Sequence, residues 1–212
     1  MSASILPLFP LNMVAFPQEK LPLHIFEPRY KQLINECIEE QTPFGIPAYL
    51  NDRVERFGTQ MRIVSVIQRY EDGRMDVETE GVAVFELHKF ENPAPGKLYA
   101  AGEVTMLDNE TTYSEETLQK LMRQVRLLYG LLQTEVKPEV TESMLVSWQL
   151  AHKVGLTLEQ EYELLQLTSE AQRQEFLLNH LNRAIPIVAG MERAKERIKM
   201  NGHFRHFNPL NF

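Results

Sequence analysis

The chain has 212 residues, 43% apolar and 24% charged, with a formal net charge of −7 and a single cysteine, Cys37. This is the balance of a globular protein long enough to bury a real core, and its acidity argues against a general affinity for nucleic acid backbones. One thiol excludes an intrachain disulfide and a Cys-based zinc site.

The stretch from Met1 to Gln18 carries no charged side chain, a pattern shared by export signals and membrane helices. Pro7, Pro10 and Pro17 exclude the helix, because each removes a backbone donor and clashes with the preceding turn. No basic n-region or small-residue cleavage site accompanies the run. The segment therefore reads as short extended pieces, edged by proline, that line a β-rich core as paired strands. A cytoplasmic protein without membrane association is expected.

Pro28 opens a helix that runs to about Glu40, placed where its missing N–H costs nothing. Tyr30, Leu33, Ile34, Cys37 and Ile38 form its buried stripe. Next, Thr59, Met61, Ile63, Ser65 and Ile67 alternate with Gln60, Arg62, Val64, Val66 and Gln68, which predicts a long strand. Asp72-Gly73 predicts a tight type I′ hairpin turn. On the return strand Met75, Val77 and Thr79 share one face and Asp76, Glu78 and Glu80 the other. Gly81 interrupts that alternation, as a bulge or a close backbone approach would. Further strands are predicted over Val82–Phe90 and Leu98–Leu107, joined by Asn92-Pro93-Ala94-Pro95-Gly96.

A polar linker, Asp108 to Ser114, precedes a change to helical spacing. Leu118, Leu121, Met122, Val125, Leu128 and Leu132 predict one helix, and Pro138 separates it from another carrying Met144, Leu145, Trp148 and Ala151 and stopping near Gly155. Thr157 with Gln160, and Ser169 with Gln172, have capping-box spacing. A last helix keeps Leu177, Leu181, Ala184, Val188, Met191 and Ile198 on one side, and Pro186 should kink or split it. The expected class is α+β, with a β-rich front and a helical back.

Several of these pieces, taken in order, carry a resemblance. They are Leu6-Pro7-Leu8-Phe9-Pro10-Leu11, Phe16-Pro17 with Leu21-Pro22-Leu23, Phe26-Glu27-Pro28-Arg29-Tyr30 entering a helix, Phe57-Gly58-Thr59, Asp72-Gly73, Glu80-Gly81 and Ser147-Trp148-Gln149-Leu150-Ala151. Together they resemble the N-terminal substrate-recognition domain of the Lon protease family, over about Ile5 to Ile185. The resemblance implies a PUA-like β-barrel followed by an α-helical bundle. The expected division is 1–108 for the barrel with its one helix, 114–200 for the bundle and 201–212 for an apolar, aromatic tail. Full Lon proteases add an ATPase module and a serine–lysine peptidase domain. Here no G-x-x-x-x-G-K-S/T occurs, since the one Gly-Lys pair, Gly96-Lys97, is followed by Leu98 and lacks the upstream glycine. Protease-bearing members usually carry charge where this chain has Phe9-Pro10. The closer likeness is to stand-alone members that have the recognition domain alone.

The chemistry of individual residues agrees with a non-catalytic reading. There is no G-x-S-x-G elbow, and Ser65, Ser147 and Ser169 lack a suggestive base or glycine context. His24 reads as a core or rim histidine. His203-x-x-His206 offers too few ligands for a structural zinc site; neither a metal nor a cofactor is expected. Glu27 and Arg29 read first as charges placed at a helix start, and otherwise as the rim of a peptide groove. Arg183, Arg193, Lys195, Arg197, Lys199 and Arg205, against Glu192 and Glu196, form a basic end. It reads first as a solvated helix face and otherwise as an RNA-binding surface on a PUA-like module. An unrecognised hydrolase is the second alternative.

The function expected from the resemblance is recognition of apolar or unfolded polypeptide segments, or an adaptor role, in a groove between barrel and bundle. The candidate peptide-binding residues are Phe16, Leu23, Phe26, Glu27, Arg29, Tyr30, Phe44 and Tyr49. Phe204, Phe207, Leu210 and Phe212 are candidates for a tail that folds back or docks into a partner or a second copy. Polypeptide partners, with self-association open, are expected, and nucleic acid is not.

Overall fold

The computed structural model describes residues 4–134 and 144–203, with side chains through 198. The predicted break at Pro138 and the tail candidates Phe204, Phe207, Leu210 and Phe212 lie outside the described residues. Six strands, β1 (Ser4–Leu8), β2 (Lys20–Ile25), β3 (Phe44–Leu50), β4 (Arg53–Arg69), β5 (Met75–Glu91) and β6 (Ala100–Met106), form one mixed sheet in the order β2-β5-β4-β3-β1-β6. The chain also pairs β6 back onto β5, from Phe85↔Met106 to Glu91↔Ala101. Helix α1 (Pro28–Glu40) lies among the strands, and α2 (Glu115–Leu131), α3 (Val146–Leu150), a 3₁₀ turn (Ala151–Lys153), α4 (Leu158–Leu165) and α5 (Glu170–His203) follow them. The class is α+β, and no helix among the described residues is long and apolar enough to cross a membrane.

The proline-edged segments are strands, but they are not partners of each other. β1 pairs with β6 and, in parallel at Leu8↔Gly45, with β3, whereas β2 pairs with β5. α1 has the predicted bounds and buries Tyr30, Leu33, Ile34 and Cys37. The turn chemistry is placed differently from the prediction. Tyr70 donates to Arg74 and Gly73 to Tyr70, so the hairpin loop is Glu71-Asp72-Gly73 with Gly73 alone at positive φ (78°). The two consecutive left-handed residues of a type I′ turn are Asn51 (49°) and Asp52 (61°), between Leu50 and its partner Arg53. Asn and Asp tolerate that region because their short side chains bond locally.

β5 is one strand rather than two, and it passes through Gly81 with a register shift against Gln60 and Met61. Gly81 also bonds the β1–β2 connection, accepting from Gln18 (2.8 Å) and donating to Glu19 (2.9 Å). A Cβ at position 81 would lie 2.1 Å from the Phe16 carbonyl oxygen, while at Gly130 nothing stands within 4 Å. Gly81→Ala is therefore expected to destabilise by about 1–3 kcal/mol or more through forced backbone displacement. Gly130→Ala, inside α2, should stabilise by about 0.5–1 kcal/mol. Urea denaturation of both variants checks the pair, and equal small effects would refute the close approach.

The helical half is built as the spacing predicts, with three differences. The Thr157–Gln160 capping box is complete, Gln160 N donating to Thr157 Oγ1 at 3.3 Å and Thr157 N to Gln160 Oε1 at 3.0 Å. The Trp148 helix is one short turn and a 3₁₀ extension, not a helix reaching Gly155. α5 runs unbroken through Pro186 for 34 residues, about 51 Å at 1.5 Å per residue. Its predicted stripe is buried only at first: Leu177 and Leu181 are enclosed, but Met191 and Ile198 are 60% and 70% exposed. The distal part of the helix has no neighbour to bury them among the described residues.

Candidate functional site

A wide concavity opens where the ends of five segments meet. Leu8 and Pro10 come from the end of β1, Arg29 and Tyr30 from the start of α1, and Tyr49, Asp52, Arg53 and Val54 from the β3–β4 turn. Phe90 and Asn92 close β5, and Ala100 opens β6; together they enclose about 570 Å³. The Asn51-Asp52 turn, with both residues left-handed, swings Tyr49 and Arg53 to the same wall.

One wall is a stack. Tyr30 lies on Phe9 with ring centroids 3.7 Å apart, and the Arg29 guanidinium sits 4.5 Å from the Tyr30 ring. Arg29 donates through Nε to Glu27 at 2.9 Å and its terminal nitrogen lies 2.8 Å from the same carboxylate. Glu27 is the residue that caps α1, yet its side chain bonds no helix amide; its carboxylate serves to orient Arg29 instead. Burial raises the Tyr30 hydroxyl above the ordinary phenol range, against the opposing pull of Arg29. On the far wall Arg53 donates to Glu55 at 2.6 Å. Each guanidinium keeps N–H donors beyond these bonds, since five are available per arginine. The lining thus offers aromatic rings beside two cationic donors.

This lining has no Ser, Cys or His. Cys37 is enclosed on the buried face of α1, and burial pushes its thiol up to about 11, so little reactive thiolate exists near neutral pH. Ser147 Oγ is fully buried and donates to Glu170 at 2.5 Å. His24 is exposed rather than core, with Nδ1 2.5 Å from Asp76.

Three of the sequence-chosen residues, Arg29, Tyr30 and Tyr49, meet at this cavity. Three others lie in the core. Phe16 and Phe44 are wholly enclosed and Leu23 is 9% exposed, because each points into the core from a strand or its connection. Phe16 stacks on Trp148 at 5.3 Å, and Phe44 packs against Phe9 at 6.4 Å. Phe26 is 58% exposed but lies outside the cavity lining, beside His24 at 6.0 Å. Asp52, Arg53, Val54, Phe90 and Asn92 escape sequence reading; the Asn51-Asp52 pair between apolar runs is the signal that would locate the turn.

Among the described residues, shared core side chains fill the expected groove between strands and helices. Val14, Phe16, Leu50 and Val84 share one core cluster with Leu121, Val125, Trp148 and Leu177. What remains at that junction is a cleft of about 60 Å³ bordered by Pro17, Val82, Trp148 and Leu167.

Comparison with known proteins gives this architecture a family. The model of the ATP-dependent protease La (LON) substrate-binding domain matches residues 5–183. Lon protease 1 of Hydrogenovibrio crunogenus is 22% identical over 202 residues, covering 89% of this chain and 25% of that protein, so the chain spans about a quarter of that relative's length. A Lon N-terminal domain protein from Xanthomonas campestris superposes with a TM-score of 0.66 at 28% identity, over 83% of this chain and 98% of that one. The N-terminal domain of the Mycobacterium avium complex Lon protease has the same fold, with a TM-score of 0.62 at 17% identity over 84% of this chain and 98% of that one. The chain belongs to the family of Lon substrate-binding domains, the recognition part rather than the catalytic part of that protease.

Proposed function

We propose that this chain is a non-catalytic polypeptide-recognition domain that takes up apolar or unfolded protein segments, as a receptor or an adaptor, through the cavity at Arg29, Tyr30, Tyr49 and Phe90. The carrying observation is the lining itself: three aromatic rings beside two arginines around about 570 Å³. Tyrosine and arginine are the residues that most often dominate polypeptide interfaces. A volume within the roughly 300–1,000 Å³ of ligand sites admits one or two anchoring side chains. Phe26, exposed at 58%, is an outlying anchor. We also read 1–108 as a PUA-like barrel with one helix, which the return pairing of β6 on β5 supports, and 114–200 as a helical bundle.

Fluorescence anisotropy with a labelled, unfolded apolar peptide tests the reading. Micromolar binding is expected, and Tyr49→Ala or Phe90→Ala should weaken it roughly tenfold, about 1.4 kcal/mol. Melting curves separate lost contacts from lost folding. A folded protein that binds nothing at high micromolar concentration would overturn the proposal.

A further inference from the structure

The far half of α5 is a helix surface that nothing covers among the described residues. Ile187, Met191 and Ile198 are 60%, 60% and 70% exposed, and Ala194 between them is half-buried. At about 100° per residue the four lie within about 60° of one another, so they form a single apolar stripe. From Ile187 to Ile198 the stripe is about 17 Å long, at about 1.5 Å per residue. At its near end it runs into the core through Ile185 and Val188, which pack in the cluster joining helices to sheet. Polar side chains on this half of the helix bond locally: Lys195 donates to Glu192 at 2.6 Å and Arg193 to the Ala189 carbonyl at 3.1 Å. A continuous row of large apolar side chains left in water marks an interaction surface, unlike single ones scattered over a protein.

We propose that residues 204–212 of the same chain cover this stripe, laid back along α5. They follow the helix directly, and their sequence, Phe-Arg-His-Phe-Asn-Pro-Leu-Asn-Phe, has the spacing for it. Phe204, Phe207 and Leu210 recur at every third residue. A polyproline II chain turns once in three residues and so puts all three on one side. Pro209 biases Asn208 to that extended region and bars a helix from continuing through it. A rise of about 3.1 Å per residue sets Phe204 and Leu210 about 19 Å apart, close to the length of the stripe. Run antiparallel to the helix, the three fall beside Ile198, Met191 and Ile187 in turn, and Phe212 reaches the point where the stripe enters the core. The reversal follows Asn201-Gly202, residue types that favour a helix stop. Two apolar sets, each unfavourable in water, thereby cover one another. The stripe shares no residue with the cavity at Arg29 and Tyr30, so the inference stands apart from the recognition reading.

A nitroxide attached through Asn211→Cys, in the full chain with isotope-labelled isoleucine and methionine methyls, tests the placement. Cys37 is enclosed and leaves the label to the new thiol. Paramagnetic broadening is expected to be strongest at Ile187, weaker at Met191 and weakest at Ile198. The Ile187 signal should lose at least half its intensity relative to the reduced label. Adding Phe207→Ser/Leu210→Ser should erase that order, while the enclosed methyls of Ile25 and Ile34 stay unshifted and report an intact fold. The reverse order, with Ile198 strongest, would place residues 204–212 beyond the helix and overturn the proposal. No broadening at any of the three, or a double variant that keeps the original order, would overturn it equally. A mixture of nitroxide-bearing chains without isotope and isotope-labelled chains without nitroxide should show no broadening. Broadening in that mixture would put a second copy's residues on the stripe, and would overturn the proposal too.

Discussion

Replacing Arg173 with leucine is expected to cost about 3–5 kcal/mol of folding free energy, because it strips a buried carboxylate of its buried cation. Arg173 and Glu170 are both fully enclosed, with 3.1 Å between Arg173 and the carboxylate. Burial lowers the Arg173 guanidinium from its ordinary value, and Glu170 opposes that shift. The guanidinium donates to Ser147 Oγ at 2.9 Å and to the Leu167 carbonyl at 2.8 Å, and it lies 4.0 Å from the Trp148 ring. Glu170 in turn accepts from Ser147 N at 3.1 Å and Gln174 Nε2 at 2.9 Å. This network fastens α3 to α5 behind the core that joins helices to sheet. A protein of this size loses about 2–4 °C of melting temperature per kcal/mol, so a drop of roughly 6–20 °C should follow. Trp148, the only tryptophan, reports the same event by its fluorescence. The double variant Glu170→Leu/Arg173→Leu should recover at least half of the loss, since an apolar pair of similar volume is often as stable as the ions it replaces. A single-variant loss below about 1 kcal/mol, or no recovery in the double, would mean that the pair is not what holds these helices.

What could be read from residues alone was local. α1 was legible to its last residue because Pro28 and the Leu33–Ile34–Cys37 spacing mark both its start and its buried face. The Thr157–Gln160 box was legible because both bonds join residues three apart. β3 was not, since Gly45 and Pro47 interrupt it and its burial on both faces removes the alternation by which strands are recognised. Gly81 announced a disturbance without its cause: the Phe16 carbonyl pressing on it is 65 residues away in sequence. The cavity follows the same rule. Arg29 and Tyr30 could be singled out from their motif, but Arg53 and Phe90 reach them only through strand register, which composition does not encode. Phe16 and Phe44 show why burial was not legible, because an aromatic beside a proline-edged strand has the same sequence whether it faces the core or solvent.

His152 sets the pH range in which the junction of sheet and helices is held together. It follows α3, and its ring lies 5.0 Å from Phe16. Its Nδ1–H donates to Glu161 on α4 at 2.8 Å, and its Nε2–H faces Glu19 of the β1–β2 connection at 3.4 Å. A neutral imidazole has one N–H, so facing two carboxylates at once requires the imidazolium. Burial by itself would lower the ring, but hydrogen bonds and charge from Glu161 and Glu19 override it and hold His152 up at about 9, against an ordinary 6.5. A group whose folded pKa is raised contributes stability that is complete below the unfolded value and fades as pH rises toward the folded one. The window is therefore about pH 6.5 to 9. The side chain is 36% exposed, and discounting the shift for solvent screening leaves about 1–2 kcal/mol. Wild-type melting temperature should fall between pH 6 and pH 9.5 by roughly 2–8 °C more than that of His152→Gln, which has no charge to lose. The two proteins should also converge at the alkaline end. Parallel curves across that interval would show that the histidine is not charged in the folded protein, and that Glu19 and Glu161 are held near it by the surrounding chain alone.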